Sequence, residues 1–455
     1  MSKPSIPKGT RDFGPRVMIR RNYIFNTIRR SFETFGFMPI ETPAMENLST
    51  LTGKYGDEGD QLIFKLLNNG DFLNKADKSA LEDLDSKKLS FSISKKALRY
   101  DLTVPFARFV VMNQNEITFP FRRYQIQPVW RGDRPGKGRY QEFFQCDADI
   151  VGTDGLVCEV ELVQLFDEIL TNLQIPDFEI RINNRKILFG LAQAAKIEDQ
   201  LVDFTVAMDK LDKIGEEGVV KELVDRGISD EAIQILKPLF GISGSFEDSV
   251  IELEKILQGN VSGAKGIEEL KFVFDSIERL GLRGAKLKFD VTLARGLNYY
   301  TGAIFEVVTN RVQIGSICGG GRYDDLTGVF GLNGVSGVGI SFGADRIYDV
   351  MNELELFPEA TNSLTKLMFV NFGEDESAYC LKLATDLRRA GVACELYPTG
   401  AKMKKQMTYA HSNNIPFVAL IGSREMETGV IAIKNMESGE QFAVDKGELQ
   451  EFIEQ

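Results

Sequence analysis

Apolar residues recur at helical spacing over residues 17–35, where Ile24, Phe25, Ile28, Phe32 and Phe35 share a face. The spacing predicts an amphipathic helix, and residues 37–43 then read as a strand stopped by proline. Residues 68–90 are dominated by Asn, Asp, Lys and Ser and are expected to form a mobile surface insertion. From Tyr124 to Arg131 the chain alternates, with Gln125, Gln127 and Arg131 on one face and Tyr124, Ile126 and Trp130 on the other. A return strand puts Phe143, Gln145, Asp147 and Asp149 on a single face, so the pair predicts a hairpin with a polar side. Residues 187–280 turn helical, with Glu/Lys-rich faces and glycine breaks at Gly227, Gly241 and Gly244, and strands resume near Lys286. After a polar linker at 359–365, strands are expected at 367–372, 393–397 and 416–421, with helices at 374–390 and 402–412. That alternation predicts a small α/β domain. The expected organisation is an α+β domain in two parts, 1–186 and 284–358, a helical insertion at 187–283, and an α/β domain at 366–455.

Composition narrows the class. A chain of 455 residues exceeds one ordinary core, which predicts two or three domains. Hydrophobic content of 43% and charged content of 26% are those of a soluble globular protein. No apolar run approaches the roughly 18 residues of a membrane span. The opening Met-Ser-Lys-Pro-Ser-Ile-Pro lacks the apolar core of a secretion signal. The expected location is the cytoplasm, with no membrane partner. Five cysteines at 146, 158, 318, 380 and 394 form no Cys-x-x-Cys, which argues against a zinc knuckle or a disulfide framework. His411 is the one histidine, read as a surface residue, so a multi-histidine metal site is excluded and no metal-ligating residue is expected. A Ser-His-Asp triad is also disfavoured. Catalysis would rest on arginines, carboxylates and hydroxyls, with or without a bound metal. The net charge of −12 counts mildly against a nucleic-acid partner, although local patches decide such binding.

The hairpin loop Gly-Asp-Arg-Pro-Gly-Lys-Gly-Arg, residues 132–139, together with Arg131 carries four cationic side chains. Guanidinium forks suit phosphate oxygens. An exposed hairpin with solvated charges is the competing reading. Gln145 and Asp149 weigh against it, because a polar face with nothing to bind is costly to bury. Asp101 and Thr103 fall on one side of an extended segment, and a carboxylate beside a hydroxyl can receive an ammonium group; a turn or helix cap is the alternative. Residues 293–302 read Leu-Ala-Arg-Gly-Leu-Asn-Tyr-Tyr-Thr-Gly, and residues 318–324 read Cys-Gly-Gly-Gly-Arg-Tyr-Asp. An arginine and two tyrosines beside a glycine run that admits a ligand to the backbone would build a polar pocket. The bland alternative for Tyr299 and Tyr300 is an aromatic pair in a sheet core. Residues 337–346 form a glycine-punctuated strand entering a helix, with Arg346 in the first turn, where backbone N–H groups favour an anion. Lys402, Lys404 and Lys405 open a further helix, ordinarily a solvated face.

Residues 293–302 and 318–324 resemble the two signature peptides of histidyl-tRNA synthetases. The helix, strand and proline at 17–43 resemble motif 1 of class II synthetases, the 121–152 hairpin motif 2, and residues 337–346 motif 3. The likeness extends from the Lys-Gly-Thr-Arg-Asp-Phe peptide at 8–13 to the C-terminal domain. It implies a class II fold, with a six-stranded antiparallel catalytic sheet flanked by helices, a helical insertion and an α/β anticodon-binding domain. It implies an ATP-dependent ligase that activates L-histidine and charges histidine tRNA, with Mg2+ accompanying ATP, in a homodimer. By the same likeness Arg131 holds the α-phosphate, Arg139 and Arg346 the γ-phosphate, and Phe143 and Arg346 sandwich adenine. The loop tip at 134–137 faces the acceptor end of tRNA. Asp101, Thr103 and Gln145 receive the amino group of histidine. Asp149 and Tyr300 form the imidazole site beside Tyr299 and Tyr323. Arg295 offsets the repulsion between the histidine carboxylate and the α-phosphate. The C-terminal lysines meet tRNA phosphates. Asn298 and Gln141 depart from the family pattern, which usually has aspartate and arginine there. The alternatives are a catalytically inactive relative that serves histidine biosynthesis as a regulatory subunit, and a class II synthetase for proline or threonine. Retention of Arg295, Tyr299, Tyr300 and a C-terminal domain opposes the first. The single histidine and Asp149 oppose the second.

Overall fold

The computed structural model describes residues 3–242, 244–294 and 299–454. Two compact units divide the chain: Met1–Asp12 with Ile24–Leu356, and Phe13–Tyr23 with Phe357–Gln455.

The first unit is built on an eight-stranded sheet. Its order is Met38–Pro39, Phe121–Trp130, Glu142–Val151, Gly337–Gly343, Cys318–Tyr323, Ala303–Thr309, Phe178–Asn184 and Lys286–Phe289. The six central strands pair antiparallel. A short parallel strand lies on each edge, so the expected six-stranded sheet is the core of a wider one. The two edge strands carry two and four residues, too few to declare a period in the sequence. The parallel pair Phe178–Asn184 and Lys286–Phe289 requires a crossover between its strands. Helices from Arg185–Ala194 to Val261–Leu280 supply it.

Alternation sorts the sheet into two faces. One row across five strands reads Ile126, Cys146, Phe342, Cys318 and Val307, all apolar. Phe32 of the helix Pro15–Thr34 meets Phe342 at 5.8 Å between ring centroids. Phe166 of the helix Val157–Asn172 meets it at 5.4 Å. These helices bury that face. The next row reads Gln125, Asp147, Ser341, Gly319 and Glu306, all polar or glycine, and forms the floor of the opposite side. Arg322 sends its guanidinium to the helix-covered side, where it forks onto Glu159 at 2.5 and 2.7 Å.

The insertion at 68–90 is more regular than its composition suggests, with short helices at Lys78–Glu82 and Ser86–Ile93 capped by Asp77 and Asp85. The segment after Leu98 is likewise not extended throughout. Leu102 is already αR and a helix runs Thr103–Met112. Asp101 therefore sits at the helix entrance and accepts from the Val104 N–H at 3.2 Å.

The second unit has a five-stranded sheet of order Cys394–Leu396, Leu367–Phe369, Phe417–Leu420, Val430–Asn435 and Gln441–Asp445, parallel in its first three strands. The helices Glu374–Arg389 and Leu449–Glu454 pack on Phe369, Ile431 and Ile433. Met403–Ser412 packs by Ala410 against Met368 and Val418. His411 lies exposed on that helix.

A Cβ at Gly320 would lie 2.3 Å from the Gly339 carbonyl oxygen and 2.8 Å from the Ile340 Cα, both backbone atoms that cannot swing away. Gly320→Ala is expected to destabilise the first unit by about 3 kcal/mol, the upper range for overpacking. Urea unfolding followed by the fluorescence of Trp130, the chain's only tryptophan, measures it.

Candidate active site

A cavity of about 400 Å³ opens on the polar face of the large sheet, within the usual size of small-molecule sites. Arg131, Arg139, Phe143, Gln145, Tyr300 and Arg346 line it. All six come from the residues singled out in the sequence.

The cationic end is held by neutral groups. Arg131 donates Nε–H to the Tyr100 carbonyl at 3.0 Å and lies over the Tyr100 and Phe143 rings, at 4.3 and 5.3 Å from their centroids. Arg346, in the first turn of Ala344–Glu353, donates to the carbonyls of Gly138 at 2.9 Å and Ser316 at 2.5 Å. Burial lowers the Arg346 pKa, and the neighbouring Arg139 and Arg131 lower it further. Cations that disfavour one another's charge create a site for an anion. Asp133, Glu306 and Asp345 also line the cavity, so the positive charge is confined to the part where the arginines meet.

Beside Tyr300 further groups are sunk into the protein, and Asp101, Thr103, Asp149, Tyr299 and Tyr323 do not themselves line the cavity. Asp101 is 1% exposed and accepts from the Tyr55 hydroxyl at 2.8 Å and the Tyr299 hydroxyl at 3.2 Å. Thr103 lies near the same Tyr299 hydroxyl. Burial raises the Asp101 pKa above its usual range. The structure thus brings Asp101, Thr103 and Tyr299 together. Gln145 stands apart from them and donates to Ser341 at 3.1 Å.

Asp149 is engaged by Tyr323, whose hydroxyl donates at 2.6 Å, and by Arg123, which lies 2.7 Å away and is wholly buried. Burial raises its pKa. Tyr300 lines the cavity with its ring at 66° to that of Tyr299, and burial raises its pKa as well. The two groups expected to share an imidazole are therefore present, with Asp149 paired to other side chains. Arg295 and Asn298 lie outside the described residues. Gln141 donates its amide to the Asp133 carbonyl at 3.1 Å.

Several site residues escaped the sequence reading. Arg123 precedes Gln125 by two positions, so the strand's alternation carried one step back would have found it. Tyr55 reaches Asp101 across 46 residues and leaves no local signal. Asp147 lies on the same face as Gln145 and Asp149, as the alternation predicts, and the sequence assigns it no role. It is 2% exposed and is raised to about 7 by burial, with Arg123 opposing the rise and Asp149 adding to it. Among the described residues no cluster of three or more His, Cys, Asp or Glu side chains is placed to hold a metal ion, and no helix is long and apolar enough to cross a membrane.

An antiparallel sheet carrying this cavity, with a helical crossover and a separate α/β unit, defines a class II aminoacyl-tRNA synthetase fold. Residues 80–347 match the family model described as Histidyl-tRNA synthetase, and residues 366–455 match Anticodon binding domain. A Histidine--tRNA ligase of Christiangramia forsetii is 60% identical over 444 residues, covering 97% of both chains. One from Phocaeicola vulgatus is 57% identical over 98% of both. The crystal structure of histidyl-tRNA synthetase from Nostoc sp. PCC 7120 superposes with a TM-score of 0.85 at 32% identity, covering 100% of this chain and 99% of that one. The chain belongs to the histidyl-tRNA synthetase family.

The raised Asp147 pKa has a stability consequence. Its folded value of about 7 exceeds the ordinary 3.8, so the folded state binds a proton that the unfolded chain has released. That contribution is full below the unfolded pKa and is lost as pH rises through about 7. Between pH ~5.5 and ~8 wild type should lose about 2 kcal/mol relative to Asp147→Asn, by proton linkage. Urea titrations of both proteins at the two pH values test the sign.

Proposed function

We propose that this chain joins histidine to its tRNA in two steps at the cavity on the large sheet. In the first, a carboxylate oxygen of histidine attacks the α-phosphorus of ATP. The bond to the bridging oxygen breaks and pyrophosphate leaves. In the second, a ribose hydroxyl at the tRNA 3′ end attacks the acyl carbon of histidyl-adenylate and AMP leaves. The observation that carries this reading is the convergence of Arg131, Arg139 and Arg346 on one cavity that Tyr300 also lines, with Asp101 and Asp149 buried beside Tyr300 and outside the lining. Triphosphate suits the arginines, and an ammonium group and an imidazole N–H suit the carboxylates.

The roles follow from that polarity. Arg131 would steady the α-phosphate and Arg139 and Arg346 the γ-phosphate, with adenine between Phe143 and Arg346. Asp101, Thr103 and Gln145 would receive the ammonium group. Asp149 and Tyr300 would address the two ring nitrogens, supported by Tyr299 and Tyr323. Arg295 would cancel the repulsion between two anions and stabilise charge in the transition state. ATP enters with Mg2+ as its counter-ion. Exposed Lys402, Lys404 and Lys405 support a phosphate-binding role for the C-terminal unit. We further propose that the chain acts as a cytoplasmic homodimer.

Pyrophosphate exchange into ATP, run with each of the twenty amino acids, tests this directly. Exchange should depend on histidine alone. Arg295→Ala should lower it by on the order of 10²–10³, as for removal of a group that stabilises transition-state charge. Exchange with a different amino acid, or none in folded protein, would sink the proposal.

A further inference from the structure

The hairpin loop and the helix that would grip ATP meet directly where Arg346 donates to the Gly138 carbonyl at 2.9 Å, and a further side chain reinforces that junction. Arg139 and Phe143 lie on the hairpin loop and its return strand, while Arg346 lies on the helix Ala344–Glu353. One side chain from a third, distant piece of chain bridges them. The Arg11 guanidinium stacks on the Tyr140 ring, 3.2 Å from its centroid. Its Nη2 pairs with Asp345 Oδ1. The other oxygen of Asp345 accepts the Phe144 N–H at 2.9 Å, and Tyr140 donates its hydroxyl to Asp349 at 2.9 Å.

The peptide carrying Arg11 is fixed as well. Gln141 donates its N–H to the Gly9 carbonyl at 2.8 Å. Gly9 has φ +84, and a Cβ there would lie 2.7 Å from Gln141 Cγ and 2.9 Å from Pro135 Cγ. So the N-terminal peptide lies flat on the loop. Asp345 is 3% exposed, and Arg11 is the cation at its Oδ1. Arg11 is absent from the cavity lining, so it acts on a ligand only through its neighbours.

We infer that Arg11 is a positioning residue for ATP, strapping the hairpin loop that bears Arg139 and Phe143 onto the helix that bears Arg346. The inference rests on the function proposed above. It goes further by assigning to the N-terminal peptide a task specific to one of the two substrates. The histidine end has separate supports in Tyr55, Arg123 and Tyr323.

The test is histidine-dependent pyrophosphate exchange by wild type, Arg11→Ala and Arg11→Lys, with KM measured separately for ATP and histidine. Histidine affinity is also measured by calorimetry without ATP. Loss of the strap should raise KM for ATP on the order of tenfold in Arg11→Ala and leave histidine affinity within about twofold. Arg11→Lys retains a charge for Asp345 but not the planar stack, and should fall between. In an Asp345→Asn background, Arg11→Ala should add little, because one connection is already broken. An unchanged KM for ATP, or an equal weakening for both substrates, overturns the inference while the proposed function stands. Absence of exchange in wild type would instead remove the function on which it rests.

Discussion

The Asp149 carboxylate occupies the space in which a side chain at position 339 would begin. A Cβ there would lie 1.9 Å from its Oδ1. Two further glycines repeat the device. A Cβ at Gly337 would meet the Tyr323 ring at 2.4 Å, and one at Gly321 the Tyr300 ring at 2.8 Å. Three polar side chains are thereby sunk into the sheet surface instead of standing on it. Depth has an electrostatic cost, since burial disfavours the charged carboxylate. Arg123 and the Tyr323 hydroxyl offset part of that cost for Asp149. Removing either would leave a buried charge short of a partner, which is why truncation here is more damaging than the net worth of the contact.

The hairpin was legible because period-two alternation and a basic loop are local properties. Arg131 could be placed on the polar face of one strand, Phe143 and Gln145 on one face of the next and Arg139 in the loop between them, and the structure lines one cavity with all four. Residues that depend on long-range packing could not. Tyr55 and Asp101 meet only because a three-stranded sheet of Met45–Asn47, Lys96–Leu98 and Lys65–Leu66 folds that region together. Arg322 illustrates the opposite hazard. It stands in the same glycine-rich peptide as Tyr323, yet neighbouring strand residues face opposite ways, and it serves the core through Glu159. A peptide can be legible as a motif while the duties of its members are not.

Charge placement also explains why a net charge of −12 says little about this cavity. The arginines divide by what holds them. Arg322 pairs with Glu159, Arg123 with Asp149 and Arg108 with Glu46, and each charge is offset within the protein. Arg131 and Arg346 are held instead by backbone carbonyls. A carbonyl fixes the fork in direction without cancelling its charge, so the positive potential survives for a ligand. Arg99 shows that this is not sufficient alone. It is held by the carbonyls of Pro128 and Thr42, but it is 1% exposed and burial lowers its pKa to about 10. A binding arginine needs both conditions, a neutral anchor and an opening to the cavity, and Arg131 and Arg346 meet both.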